Sequence, residues 1–430
     1  MPLAFPSPGR TMSAMQHIIA PALACLIASP RASTRFNELF APSGRAPPLF
    51  LAPMEGLGDR AFRRALALSF GEHMDEACTE FIRVPGVLPP SEGQVHKSAA
   101  RLTRAAYSST ELGSTPLAAQ IMGSDPAFLA AATSHLAGSL GAHRVDLNCG
   151  CPANTVTGRG AGSSLLRTPA ALHACVEAMV RAAEPHGAVV SVKLRAGYDD
   201  TSLFEDNLRA AIDAGASLLT LHPRTRKQGY SGAADWGLTE RAVRFVAPVH
   251  VIGNGDVTTV AKAKLLHSMT NCHGVMIGRG AAQDPLIFWR IKAAYGAAPE
   301  IAAHTEAALV ETFLRRYHDE LALAPEPRSV KAAGGRTSEE LSRFRTGKLK
   351  QLANYLMRAN ADMQRELTGV LHTPPETSCV ALLEQIVDSV RNHWHGPPSE
   401  VGLVDTFSSR NQYQERAPVE RVQCCEPVLL

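Results

Sequence analysis

From about residue 47 the chain alternates short apolar runs, closed by Gly, Asn or Pro clusters, with longer stretches of helical period. Runs of that kind read as buried strands, and their alternation with helices reads as repeated βα units. Eight runs stand at 49–55, 78–83, 117–123, 145–150, 189–195, 218–225, 249–256 and 274–280. Ala-rich helical stretches lie between them, for example 169–183 and 203–214. This pattern predicts an α/β fold, a (β/α)8 TIM barrel over residues 47–298, with an open doubly wound sheet as the alternative on pattern alone.

After about residue 300 the alternation stops. Helical patterns follow at 305–321, 343–358 and 383–393, with a Pro-, Gly- and Ser-containing loop at 325–338. In the second helix Leu349, Leu352 and Leu356 share one face, while Lys348, Tyr355 and Arg358 lie elsewhere. Residues 299–395 are therefore expected to form a smaller helical domain. The polar stretch 396–430 reads as a disordered tail, with Cys424 and Cys425 incidental to function.

Composition adds modest constraints. Hydrophobic residues make up 45% and charged residues 19% of 430 positions, an ordinary globular mixture. A formal charge of +3 neither demands nor excludes a nucleic-acid partner, which depends on local basic patches. The nine cysteines are odd in number and irregular in spacing, which favours reduced thiols, and no paired C-x-x-C elements suggest a metal. No segment approaches the roughly 20 apolar residues of a membrane span. Residues 1–46 hold no acid before Glu38 and carry Arg10, Arg31 and Arg35 among Ala, Ser and Pro. That composition suits a mitochondrial or chloroplast transit peptide, against a plain extension on a cytoplasmic protein.

A barrel carries its chemistry where strands end and loops begin. The unusual polar residues fall there: Pro53-Met54-Glu55, Glu80 with Arg83, Gln120, Asn148 with Cys151, Lys193 with Arg195, His222 with Arg224, Asn254 with Asp256, and Arg279. The last two ends read Gly253-Asn254-Gly255-Asp256 and Gly278-Arg279-Gly280, where a barrel commonly binds phosphate; ordinary tight turns are the alternative. Lys193 and Gln120 suit the pyrimidine edge of a flavin, although each alone is as easily structural. In Asn148-Cys149-Gly150-Cys151-Pro152, Cys149 belongs to the strand and Cys151 to the loop, so Cys151 is the candidate nucleophile or general acid. Cys78, Cys175 and Cys272 read as small buried hydrophobes.

These residues also resemble a known family. L-A-P-M-E-G (51–56), T-E-F-I-R-V (79–84), V-D-L-N-C-G-C-P (145–152), S-V-K-L-R-A-G (191–197), L-H-P-R-T-R-K-Q-G-Y (221–230), I-G-N-G-D (252–256) and V-M-I-G-R-G-A (275–281) look like the tRNA-dihydrouridine synthases. The T-E-F-I-R-V and N-C-G-C-P forms are similar to the bacterial C-type branch, and F-R-T-G-K-L-K-Q-L-A-N-Y-L (344–356) resembles that family's RNA-binding helix.

The resemblance implies FMN as cofactor, NADPH as hydride source and tRNA as partner, with the protein acting as a monomer. Carried over, FMN contacts fall on Pro53, Met54, Glu55, Gln120, Lys193, His222, Asn254, Gly255, Asp256, Gly278 and Arg279. Cys151 matches the proton donor, protonating C5 of a D-loop uracil while hydride reaches C6. Asn148 matches a base-orienting residue, and Arg83, Tyr230, Lys348, Lys350 and Tyr355 fall at tRNA contacts. A target uracil must leave its stack to reach such a pocket. Whether Arg195, Arg224 and Arg226 touch RNA or brace loops stays open at this level. Two other readings also stay open: an FMN barrel acting on a small molecule, in the manner of a dihydroorotate dehydrogenase, and a tRNA-binding protein without catalysis.

Overall fold

The computed structural model describes residues 36, 38–40, 46–85, 91–151, 160–323, 337–374 and 377–396. Its strands, in chain order, are β1 (Leu49–Leu51), β2 (Glu76–Cys78), β3 (Ile82–Arg83), β4 (Leu117–Met122), β5 (Arg144–Cys149), β6 (Val189–Gly197), β7 (Leu218–Thr225), β8 (His250–Asn254) and β9 (Gly274–Ile277). All pair in parallel. Glu76 of β2 lies beside Phe50 of β1, Ala77 lies beside Leu117 of β4, and β1 closes onto β9. The sheet therefore shuts into an eight-stranded barrel, with β3 a short addition beside β4, and the open-sheet alternative is set aside.

Helices α1 (Arg60–Phe70), α2 (Glu92–Arg104), α3 (Pro126–Ser134), α4 (Pro169–Ala183), α5 (Phe204–Asp213), α6 (Trp236–Val246) and α7 (Val260–Thr270) surround it, followed by α8 (Arg279–Gln283) and α9 (Ile287–Ala294). Side-chain caps start several of them. Asp59 accepts the Phe62 N–H at the head of α1, Asp125 accepts that of Phe128 just before Pro126, and Thr259 accepts that of Lys262.

One strand departs from the sequence pattern. The second run was expected at 78–83, but β2 ends at Cys78, and only Ile82 and Arg83 resume pairing. Glu76 hid the true start, because its charge is buried and matched by Arg144 rather than excluded from the strand. Beyond Cys78 the Thr79 hydroxyl takes the Gln120 N–H at 3.0 Å, replacing a ladder bond with a side chain.

The barrel interior has two halves. Phe50, Ala52, Leu218, Ile252 and Met276 form an apolar cluster, and Phe36, Leu39 and Phe40 pack against it from the N-terminal segment. Phe40 stacks on His250 at 4.2 Å between ring centroids. Burial, with a smaller contribution from His273, lowers the pKa of His250 to about 4, so the ring is neutral beneath the aromatics at neutral pH. The other half is polar. Arg144 Nε donates to Glu76 at 3.0 Å and its NH1 group donates to Ser191 Oγ at 2.5 Å and to Asp146 at 3.3 Å.

The helical end comprises α10 (Glu306–Leu323), α11 (Ser338–Arg358), α12 (Ala361–Gln364), α13 (Leu367–Leu371) and α14 (Cys379–His393). It shares one apolar core with the barrel's outer layer. Phe62 of α1 meets Phe313 and Tyr317 of α10 at 5.9 and 6.3 Å, and Arg64 pairs with Glu320 at 2.6 Å. α11 begins five residues before the expected 343, because Thr337 and Glu340 make a reciprocal capping box. Tyr355, expected off the apolar face, is buried with Leu352 and Leu356. Residues 1–35, Pro152, most of the 325–338 loop, and the 397–430 tail with Cys424 and Cys425 lie outside the described residues.

Burial pushes the Glu76 carboxyl up, but Arg144 and His143 outweigh it and hold it at about 2. A depressed carboxylate stabilises the fold fully above its unfolded value near 4.5, and that contribution disappears as pH falls toward about 2. Glu76→Ala leaves Arg144 in the barrel without its main counter-charge, and the expected loss is about 3–5 kcal/mol. Denaturant melts at pH 7 and pH 3 check this: the gap between wild type and variant should be wide at pH 7 and narrower at pH 3.

Candidate active site

The carboxyl ends of β1, β6, β7, β8 and β9 surround one pocket. Its lining includes Pro53, Met54, Lys193, His222, Tyr230, Asn254, Gly255, Asp256, Gly278 and Arg279. Nine of the eleven residues expected at a cofactor thus converge, and Tyr230 joins them. Period-2 alternation explains the convergence: Lys193, His222 and Asn254 sit on inward positions of adjacent strands.

Gly255 and Asp256 are consecutive residues with positive φ, +105° and +57°. A Cβ at Gly255 would come within 2.9 Å of the His222 ring, and one at Gly280 would collide with the Val257 carbonyl, so both loops need glycine. The Asp256 carboxylate turns to protein rather than ligand. Arg224 grips it in bidentate fashion at 2.9 and 2.7 Å, and the Ala234 N–H donates at 2.8 Å. Arg279 stands 3.5 Å from the same carboxylate and lies against the Tyr230 ring at 4.5 Å. A cation and close-approach backbone therefore flank one side of the pocket, which suits a phosphate group.

Lys193 lines the same pocket, and its one side-chain hydrogen bond among the described residues is a long 3.4 Å bond to Asn254 Oδ1. Burial and the nearby Arg195 lower its pKa to about 8. An ammonium so poorly satisfied is suited to an anionic or carbonyl acceptor in the pocket. His222 is pushed well below its ordinary value by burial and by Arg195, Lys193, Arg224 and Arg279. Arg224 can only donate, so at 3.3 Å it meets a bare Nε2, and the neutral ring carries its proton on Nδ1.

Cys151 follows the end of β5, outside the residues that line this pocket, in a small apolar nest with Met122, Ala161 and Phe81. Its backbone is held from both sides: Asn148 Oδ1 accepts its N–H at 2.9 Å, and its carbonyl accepts Ser163 Oγ at 2.9 Å. Gln120 is wholly buried below the rim, bonded to Asp146 at 2.7 Å and to Asn148 at 2.8 Å. The sequence reading missed Asp146. A lone Asp in an apolar run looks like register noise, and only inward alternation from Arg144 to Asn148 could have signalled it.

Several residues expected elsewhere have other partners. Glu55 stands outside the pocket and pairs with the exposed Arg83 at 2.6 Å. Arg195 donates to the Gly150, Thr225 and Gly229 carbonyls at 2.8–3.0 Å, so it braces two loops. Arg224 does the same through Asp256, and Arg226 lies 5.2 Å from the centre of the Tyr198 ring. Lys348, expected at RNA, is half-buried. It pairs with Asp59 at 2.7 Å and donates to the Gly56 carbonyl, while Glu80 accepts the Gly56 N–H at 2.5 Å. Lys350 donates to the Leu371 and Thr373 carbonyls at 3.0 Å, closing the end of α13. Tyr355 is buried, whereas Tyr230 is 48% exposed at the rim and open to a partner.

Residues 50–362 match the family model described as Dihydrouridine synthase (Dus). A tRNA-dihydrouridine(16) synthase of Cupriavidus necator is 39% identical over 287 residues, which is 66% of this chain and 85% of that one. A protein of the same name from Ralstonia nicotianae is 39% identical over 244 residues, covering 57% and 72%. A probable tRNA-dihydrouridine synthase of Rhodobacter capsulatus is 35% identical over 246 residues, covering 57% and 70%.

Lys193 also sets a stability test. A lysine whose folded pKa is lowered penalises the fold while it is charged, and the penalty fades as pH rises from about 8 towards 10.5. Each pKa unit corresponds to about 1.4 kcal/mol, so Lys193→Met should stabilise the ligand-free protein by at most about 3 kcal/mol at pH 7. Calorimetry on stripped protein should show a higher Tm at pH 7 and a smaller gain at pH 10; an unchanged Tm at both would sink the assignment.

Proposed function

Since the chain belongs to the dihydrouridine synthase family, we propose that it reduces a tRNA uridine to dihydrouridine, using FMN held in the barrel mouth and NADPH as reductant. The family is flavin-dependent. What supports FMN in particular is that a phosphate-suited set at Gly255, Gly278 and Arg279 lines the same pocket as Lys193 and neutral His222. The uridine proposed is that of position 16 in the D-loop, the position carried in the names of the Cupriavidus necator and Ralstonia nicotianae relatives.

When bound, the flavin supplies the hydride that adds to C6 of the uracil. The chain's own residues do the rest. Lys193 stabilises negative charge developing against the pocket wall. His222, neutral and with its proton on Nδ1, acts as a hydrogen-bond partner without adding charge. Cys151 donates the proton that completes the saturated C5–C6 bond, and the observation that carries the reading is its place just past the end of β5, with its main chain held from both sides. Asn148 orients the base. Rim residues Arg83 and Tyr230 contact the tRNA, which must present an unstacked base.

Nucleoside mass spectrometry tests the reading directly. Purified protein with FMN, NADPH and unmodified tRNA should add 2 Da to a single uridine. Cys151→Ala should slow that step about 100- to 10,000-fold while retaining flavin. A wild-type protein that turns over a small pyrimidine but leaves tRNA untouched would overturn it. Salt titrations address the helical end. Loss of a phosphate contact flattens the slope of log affinity against log salt by about 1. Arg83→Ala should show that change, whereas Lys348→Met and Lys350→Met should lower Tm and leave the slope as it is.

A further inference from the structure

Two primary amides stand in series between Asp146 and the Cys151 loop. Gln120 Nε2 donates to Asp146 Oδ2 at 2.7 Å, and Asn148 Nδ2 donates to Gln120 Oε1 at 2.8 Å. Asn148 Oδ1 then accepts the backbone N–H groups of Gly150 at 3.0 Å and Cys151 at 2.9 Å. An amide side chain can turn over, exchanging donor for acceptor with little change of shape. Here the two ends of the series forbid it. A carboxylate only accepts and a backbone N–H only donates, so each amide between them has one allowed sense.

Asp146 is itself fixed. Its Oδ1 receives Ser191 Oγ at 2.5 Å and Arg144 NH1 at 3.3 Å, which leaves Oδ2 for Gln120. Asp146, Gln120 and Asn148 are all buried, so a wrongly turned amide has no ready water to satisfy it.

We propose that Asp146 is a positioning residue of the reaction: it imposes the amide sense of Gln120 and Asn148 and so holds the main chain that carries the Cys151 thiol. Its consequence for catalysis rests on the function proposed above. The series also makes a domino prediction. Asp146→Asn replaces one oxygen with NH2 at constant shape. Ser191 and Arg144 still require an acceptor, so the new NH2 faces Gln120. Gln120 then turns, Asn148 turns in answer, and the Gly150 and Cys151 N–H groups meet an NH2 instead of an oxygen. Adding Gln120→Glu places an acceptor-only group between two donors. Asn148 then returns to its original sense, at the net charge of the wild type.

The experiment uses full-length, flavin-loaded protein and reads dihydrouridine formation in unmodified tRNA, alkylation of Cys151 by iodoacetamide followed by peptide mass spectrometry, and Tm. With D146N, kcat should fall at least tenfold with KM for tRNA within threefold, and Cys151 alkylation should rise at least fivefold. With D146N/Q120E, which restores both charge and amide sense, alkylation should return to within twofold of wild type; recovery of Tm without recovery of alkylation would mark Asp146 as a structural charge only. Alkylation within twofold of wild type in D146N, or a double variant that stays as reactive as D146N, overturns the proposal. If D146N alone does not fold, the charge-preserving double variant decides by the same alkylation criterion. If wild type forms no dihydrouridine while alkylation follows the expected pattern, the functional reading fails and the positioning of the thiol stands.

Discussion

Arg144 is among the largest side chains sealed inside the protein, and a guanidinium cannot shed its charge by deprotonating. Its presence in the barrel obliges acceptors to surround it, and Glu76, Asp146 and Ser191 meet that demand. The obligation travels upward. The Asp146 carboxylate receives Arg144 and Ser191 on one oxygen and offers the other to Gln120, and from it the amides of the middle layer take their direction. The mouth is thus arranged by a charge lying two layers below it, and the apolar half of the barrel leaves that polar half dry enough for each bond to matter.

Much of this was legible from residue pattern. β7 was placed to the residue, and α4 likewise, because apolar runs and Ala-rich helices there obey their periods without interruption. The strand-end polar residues were legible for a related reason: only a closed barrel gives adjacent strands a common inward side. What escaped was whatever broke polarity rules inside the core. Glu76 and Asp146 are charged residues in buried strand positions; Arg144 is remote in sequence from Glu76 and Gln120 from Asp146, so a local window contains only the Arg144–Asp146 part of the compensation.

Charge at the helical end misled for the converse reason. A lysine-bearing helix reads as a solvated or RNA-facing surface, yet Lys348 reaches across to the β1 loop and Lys350 closes a neighbouring helix. Long side chains with terminal charges bury their stems and serve distant carbonyls, which sequence position does not disclose. The β1 loop, carrying Met54 and Gly56, is consequently held by the helical end as well as by the barrel through Glu80. Residues that line the pocket and residues that fasten the C-terminal helices share one short stretch of chain.

The aromatic floor carries a consequence for the segment ahead of β1. Phe36 and Phe40 close over Phe50 and His250 on the apolar side of the barrel, so these few residues belong to its packing although they precede its first strand. Trimming the chain back to β1 would bare Phe50 and the neutral His250 ring to water, at a cost set by the apolar surface exposed.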